Sequence, residues 1–479
     1  MFDLKKDIFG KISKRKEITD LRYGLIHSQF GFSDGVSIVM QQMEDVMVKQ
    51  MGVPKNNISY LLGKAGYSSK RFTVKEVLWA KTELRKRTAL NYSKGFGGVL
   101  SEQLELAINE AKEEIRNFVR KNKIDIIVAH NTSHSVNFIL SIALSRYYRD
   151  AILAGKKIPK YILWWHDSHL EREQFKHPSS DVENYLLQGI PGPFVDYILF
   201  INSLQFGVAK KYFKKLDKNN PGFYDKMNKN HDVVFNTTDV FIKNFKDLKS
   251  DEFNERVEKF LLDFDIRDLL RSNNLKLEDT LFCLQHTRTV YRKRIDFALS
   301  YCFEFLSLLK EKKKYKAIYF LVSGEDSSDN SRRDLIKLHG HLSKKYNTNK
   351  VFLVFASDNK KTNLIFEEYP RIFAKLGGFS TYFSEVEGFG NNLLEVLASG
   401  LLPVVYNYPV FKKDIAPYNF KLVKTSKFLV SDKLLRDSYD LIVKRKKRRE
   451  WVNRNLNILK KNLPHSLIAS KLTTAILSE

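Results

Sequence analysis

Two glutamates eight positions apart, Glu387 and Glu395, frame the part of this 479-residue chain where residue type and spacing point most directly to chemistry. Gly388, Phe389, Gly390 and Asn391 follow the first glutamate, after the β-prone run STYFS and ahead of the helical pattern NNLLEVLASG. Glycines at a strand-to-helix turn let the backbone approach a ligand closely. The new helix offers unpaired amides and its positive dipole end to an anion, phosphate being the expected one. Glu395, about one turn into that helix, is placed to accept hydrogen bonds from a ribose diol, and Glu387, at the turn, from a sugar. His130 and His166, in VAHNTSHS and WWHDSHLER, each end a predicted parallel strand and can face a ligand there. Asp167 either orients His166 or caps the helix that follows. Histidine spacings of four and three without an HExxH arrangement give no reason to expect zinc.

These residues need strands behind them, and the chain supplies two series. YGLIHS, NISYLLG, IDIIVAH, YILWWH, DYILFIN and HDVVFN lie in the first half, separated by helical patterns such as Val36–Lys49, Ser101–Arg120 and Ser133–Tyr148. TLFCLQ, AIYFLVSG, VFLVFAS, STYFS, LLPVVYN and FKLV form the second series. Such alternation builds parallel sheets, so the expected fold is α/β, with two Rossmann-like doubly wound domains facing a central cleft where ligands bind at the carboxyl ends of the strands. The expected boundaries are 1–235 for the first domain, 236–277 for a charged linker region, 278–463 for the second domain and 464–479 for a C-terminal helix.

The stretch SEVEGFGNNLLEVLASGLLPVV resembles the hallmark of the retaining nucleotide-sugar glycosyltransferases of the GT-B fold, family 4 type. Two further segments sit where that family has them. QHTRTVYRKRIDFALSYCFEFL is similar to the loop whose Arg and Lys, five apart, hold the donor diphosphate, which implies that role for Arg288 and Lys293. Two fixed cations can stabilise the charge that develops on a leaving phosphate without a metal. The family often has Gly after the Lys, where this chain has Arg294. HSQFGFSDGVSIVMQQM resembles the first glycine-rich loop, which places Gly31, Asp34, Gly35 and Val36 near the donor phosphates and the acceptor.

The WWHDS segment looks like the strand whose terminal His contacts the donor sugar near the anomeric carbon, favouring His166 over His130. The resemblance thus implies a hexosyltransferase with Glu387, His166, Arg288 and Lys293 as its catalytic set. Gly35, Gly388, Phe389, Gly390, Asn391 and Glu395 bind the donor, while Asp34, His130 and Asp167 are left to the acceptor or undecided. It also implies a same-face reaction in which the departing phosphate takes the acceptor's proton and Glu387 positions the sugar, and a C-terminal helix crossing back to the first domain. The acidic triplet Asp263–Phe264–Asp265 is of the kind that holds a metal on a donor, but it falls in the linker rather than after a strand. No metal and no cofactor are therefore expected. The donor base is unreadable, and UDP-hexose is a prior.

The net charge of +26 is clustered. Residues 1–235 carry 37 basic and 25 acidic side chains, and the surplus is confined to Lys64–Lys94 and Gln205–His231. A basic tail includes the run Lys444–Arg449. Read as a helix, LQFGVAKKYFKKLDK sets Lys210, Lys211, Lys214, Lys215 and Lys218 on one face and Phe206, Ala209, Tyr212, Phe213 and Leu216 on the other. That is either an ordinary surface helix or one that lies on an anionic bilayer. The resemblance implies that the first half recognises the acceptor and that lipid-using members dock through basic amphipathic helices there, so the favoured acceptor is a membrane lipid, with a saccharide or other soluble acceptor as the alternative and a nucleic-acid-binding protein as a remote one. With 43% hydrophobic residues the chain is globular. No run approaches the ~18 apolar residues of a bilayer span, and the start has no secretory pattern. Cys283 and Cys302 lie in apolar surroundings, arguing against disulfides. The expected place is the cytoplasm, peripheral on the inner face of the membrane if the lipid reading holds; oligomeric state leaves no signal.

Overall fold

The computed structural model describes residues 17–32, 34–134, 137–172, 175–238, 250–326 and 330–478. The start of the chain read for a secretory signal, and Ser33 of the first glycine-rich loop, lie outside the described residues. The chain forms two units: residues up to Asn236 with His465–Glu479, and Thr237–Pro464.

The first unit is built on β1 (Tyr23–Phe30), β2 (Ile58–Ala65), β3 (Phe72–Val74), β4 (Ile126–His130), β5 (Lys160–Trp165), β6 (Tyr197–Phe200) and β7 (His231–Val233). Their order is β3-β2-β1-β4-β5-β6-β7 and neighbouring strands are parallel. β4 and β5 are buried throughout, as expected for strands covered on both faces. Ile108 and Ile115 of helix Gly97–Asn122 and Ile142 of helix Phe138–Leu153 pack on one side. Met40, Met43 and Met47 of helix Gly35–Lys49 pack on the other, together with Leu472, Ala475 and Ile476 of helix Ser466–Leu477. The buried Lys160 ammonium donates to the Ile476 carbonyl at 3.0 Å and to Ser478 Oγ at 2.8 Å, a cation at the carbonyl end of that last helix.

In the second unit β8 (Thr280–Gln285), β9 (Ala317–Val322), β10 (Val351–Phe355), β11 (Phe379–Tyr382), β12 (Pro403–Tyr406) and β13 (Val423–Thr425) run parallel in the order β10-β9-β8-β11-β12-β13. The order reverses between β8 and β11, the switch point where such sheets bind ligands. Both sheets are of the expected Rossmann-like kind. The three-residue β3 is not foreseen, and FKLV reaches its strand only at Val423.

Two expectations need correction. Of the supposed linker, 239–249 lie outside the described residues, but from Asp251 on it belongs to the second unit's core. Helices Asp251–Asp263 and Ile266–Ser272 bury Phe253, Val257, Phe260, Leu261, Ile266 and Leu270 there. The i, i+4, i+7, i+8 stripe under the charges explains this. Asp263 ends the first of these helices and pairs with Lys259 at 3.1 Å, and Asp265 opens the second. The other correction concerns helix Ser203–Asp217, whose apolar side is not available to a bilayer: Ala209, Tyr212, Phe213 and Leu216 are buried in the first unit's core. Lys210 and Lys214 lie over the Tyr224 ring at 5.7 and 5.5 Å, and Lys215 pairs with Glu183 at 2.8 Å. Lys211 and Lys218 are exposed. The five lysines can offer a membrane charge but no inserting face.

The other basic stretches are also partly internal. Arg71 pairs with buried Glu44, Lys75 with Glu114, and Arg448 is buried with its guanidinium on the Gly377 and Gly378 carbonyls. Among the described residues no helix is long and apolar enough to cross a membrane.

Candidate active site

The loops after β8 and β11 bring the expected Arg288, Lys293 and Glu387 together. Glu387 follows β11, and its side chain is only 9% exposed. Lys293 Nζ pairs with Glu387 Oε1, Tyr382 Oη donates to the same oxygen at 2.9 Å, and Arg292 lies 3.5 Å from Oε2. Burial alone would raise the Glu387 carboxyl, but the Lys293 and Arg292 charges outweigh it and hold it down to about 2. Burial likewise pushes Lys293 down to about 8, against the pull of Glu387. Arg288 is exposed, lies near enough to add to the repulsion on Lys293, and forms no hydrogen bond or ion pair among the described residues.

The turn Gly388–Asn391 leads into helix Asn391–Ala398. Phe389 is buried and its carbonyl accepts from Tyr408 Oη at 2.8 Å; Gly390 has φ 121°. Glu395 approaches His286, Oε2 to Nε2, at 3.2 Å. The arrangement offers an ionised carboxylate, two cations and a helix start within one loop cluster. That set suits a sugar bearing an anionic leaving group.

Arg294 resolves the departure from the family pattern. Its backbone adopts the left-handed φ 47° that glycine would supply. Its guanidinium is occupied by Asp296 at 3.0 Å and Glu385 at 2.9 Å and lies 4.1 Å over the Phe428 ring. Replacing Arg294 by glycine relieves about 1–2 kcal/mol of backbone cost while losing part-exposed pairs of about 0–1 kcal/mol each. Arg294→Gly is therefore expected to leave the donor KM within about twofold and the urea midpoint nearly unchanged, whereas Arg288→Ala raises that KM about tenfold. Equal losses in the two variants would show that Arg294 binds phosphate.

In the first unit three histidines meet. His27 donates from Nδ1 to the His130 carbonyl at 2.8 Å, and His130 Nδ1 and His166 Nε2 share a hydrogen bond of 3.2 Å. Burial drives His166 down to about 3 and His130 well below its ordinary value, and each is lowered further by a neighbouring histidine, so both are uncharged at neutral pH. His166 is thus held by His130, not by Asp167. The Asp167 carboxylate instead takes Arg172 Nε at 3.0 Å and lies 3.4 Å from His134 Nε2, and the short helix that follows has Ser168 at its N-cap, so neither role weighed for Asp167 is found.

Asp34 is likewise engaged in structure. It caps helix Gly35–Lys49 by accepting from the Val36 and Ser37 amides at 3.1 Å, and it also takes Gln29 at 3.0 Å and Ser37 Oγ at 2.7 Å. Gly35 is the first residue of that helix. His27, Arg292, Tyr382, Tyr408 and His286 were not anticipated. Only His286 had a readable signal, its place just past a strand, as for His130 and His166.

No family model matches the chain. The mannosylglucosylglycerate synthase of Petrotoga mobilis is 25% identical to it over 429 residues, 84% of this chain and 86% of that one. The enzyme of the same name from Thermotoga maritima is 27% identical over 422 residues, 84% of each. Among solved structures, the α,α-trehalose-phosphate synthase (UDP-forming) of Burkholderia vietnamiensis is similar with a TM-score of 0.61 at 10% identity, over 96% of this chain and 100% of that one. The sequence relatives and the two Rossmann-like sheets together mark the chain as a glycosyltransferase of the GT-B fold.

Proposed function

We propose that the chain is a retaining, metal-independent hexosyltransferase of the family 4 type, moving a hexose from a nucleotide sugar to a hydroxyl of a small soluble acceptor. The observation that carries this reading is Glu387, ionised and fastened by Lys293, Arg292 and Tyr382 beside the Gly388–Asn391 turn. A carboxylate clamped by two cations is a poor nucleophile toward an anomeric carbon and a good acceptor for sugar hydroxyls. That favours the same-face course: the bond from C1 to the phosphate oxygen breaks, the acceptor oxygen bonds to C1, and its proton passes to the departing phosphate. Lys293 and Arg288 stabilise the diphosphate, and His166 serves as a neutral hydrogen-bonding group for the sugar.

The acceptor shifts from the lipid that the clustered charge and the resemblance favoured. The apolar side of helix Ser203–Asp217 is spent on the core, and the relatives' name denotes a glycosylated glycerate. A glycoside of a small hydroxy acid is the acceptor class proposed. The test is incubation with UDP- and GDP-hexoses and glucosylglycerate, with and without anionic vesicles containing diacylglycerol, with EDTA in parallel, and product mass and anomeric configuration as readouts. The expected product is soluble, keeps the donor's configuration and forms equally with EDTA. A product formed only on vesicles would return the lipid reading, and an inverted anomer or complete loss with EDTA would end the mechanistic one.

A further inference from the structure

We propose that His286 is a positioning residue for the donor ribose, acting through Glu395 in a buried Ser323–His286–Glu395 hydrogen-bond chain. This rests on the reading of Glu395 as the ribose ligand. His286 stands just past β8 and is fully buried; Nε2 lies 3.2 Å from Glu395 Oε2 and Nδ1 lies 2.9 Å from Ser323 Oγ. Its ring stacks on Phe366, centroids 3.9 Å apart at 15°, and its carbonyl accepts from Asn392 Nδ2 at 2.6 Å. The imidazole is therefore held in its plane by one ring and along its edge by two polar groups.

The chain has a direction. A carboxylate oxygen only accepts, so the proton of a singly protonated imidazole sits on Nε2. Nδ1 then offers a lone pair, and the Ser323 hydroxyl donates to it. Glu395 is an unbranched side chain with three torsions, on a helix surface and 14% exposed. Tying Oε2 to a buried donor removes most of its rotamers before a ligand arrives and leaves Oε1 to meet a vicinal diol. Such outer partners orient a binding carboxylate without touching the ligand, and their loss is felt as affinity for the group that carboxylate meets. Gly324, next to Ser323, lets this strand end pass close to the donor loop: a Cβ there would lie 2.5 Å from Arg288 N. The turn after β9 thus supports both the ribose carboxylate and the diphosphate loop.

Calorimetry on the intact protein with UDP, GDP and their 2′,3′-dideoxy forms tests this. Wild type is expected to bind the ribo form of its preferred base at least about tenfold more tightly than the dideoxy form. His286→Ala should bring that ratio to within about twofold by weakening only the ribo form, as Glu395→Ala should. Ser323→Ala should reduce it about threefold, and His286→Gln, whose amide can still donate to Glu395, should restore more than half of it. If His286→Ala does not fold, Ser323→Ala and His286→Gln carry the test. Equal weakening of ribo and dideoxy forms, or an unchanged ratio in the His286 and Ser323 variants, overturns the relay while leaving Glu395's role intact. A wild type indifferent to the diol overturns the reading of Glu395 and the relay with it.

Discussion

Gly390→Ala is expected to lower kcat/KM at least about a hundredfold, the cost of displacing a catalytic loop by roughly an ångström. The backbone at Gly390 has φ 121°, where an L side chain is strained by about 1–3 kcal/mol. An added Cβ would also lie 2.3 Å from Tyr408 Oη. Tyr408 cannot swing aside cheaply, being buried with its hydroxyl bonded to the Phe389 carbonyl at 2.8 Å. The turn must yield, and Glu387, three residues earlier, moves with it. Removing the obstructing hydroxyl in Gly390→Ala/Tyr408→Phe relieves the collision but not the backbone strain, so a partial recovery of a few-fold is expected. Near wild-type transfer by Gly390→Ala would mean that the turn does not approach the donor.

Lys293→Ala is expected to remove about 3–5 kcal/mol of stability, because it leaves the buried Glu387 carboxylate with the Tyr382 hydroxyl and, as its only cation among the described residues, Arg292 at 3.5 Å. It should also cost about 10²–10³ in kcat/KM through lost leaving-group stabilisation. The pair predicts pH dependence on both sides of neutrality. Glu387 sits at about 2, below its unfolded value of roughly 4.3, so its contribution to stability is complete above that value and is lost as pH falls toward 2. Glu387→Gln should flatten this part of the urea-midpoint profile.

Lys293 sits at about 8, below its unfolded value of roughly 10.4, so the unfolded chain binds more protons between the two and stability rises with pH there. Activity should move the other way, with kcat/KM falling above pH about 8 as the cation is lost. Without the carboxylate's pull the lysine loses its proton more readily, so Glu387→Gln should shift that limb to lower pH. An alkaline limb unmoved by Glu387→Gln would detach it from Lys293.

A feature is legible in the chain according to how it is encoded. Central parallel strands announce themselves as apolar runs because both faces are covered. The Gly388–Asn391 turn is contiguous with both its glutamates, so its residue types and spacing stand on one line of text. The short edge strand β3 has too few residues for a pattern, and the charges of 251–272 masked a regular apolar stripe. The lysine-rich face of Ser203–Asp217 is legible in its spacing, but no local pattern says whether its other face meets a core or a lipid. Contacts such as His286 with Glu395, 109 residues apart, or Tyr382 with Lys293 over its ring at 5.9 Å, arise only when β8 and β11 lie side by side. That Asp34 caps the helix after it shows only in its hydrogen bonds.

The helix Ser466–Leu477 completes the first unit from the far end of the chain. During synthesis the sheet from β1 to β7 is made roughly 230 residues before its covering helix, a delay on the order of 10–50 s at ordinary elongation rates. Through that interval the face bearing Leu25, Val128, Ile162 and Leu199 lacks Leu472 and Ile476, while the second unit has an apolar core of its own. The nascent first unit should therefore be a client for chaperones until synthesis has passed Leu477, and a chain cut at Pro464 should pull down with them even though every strand of both sheets is present.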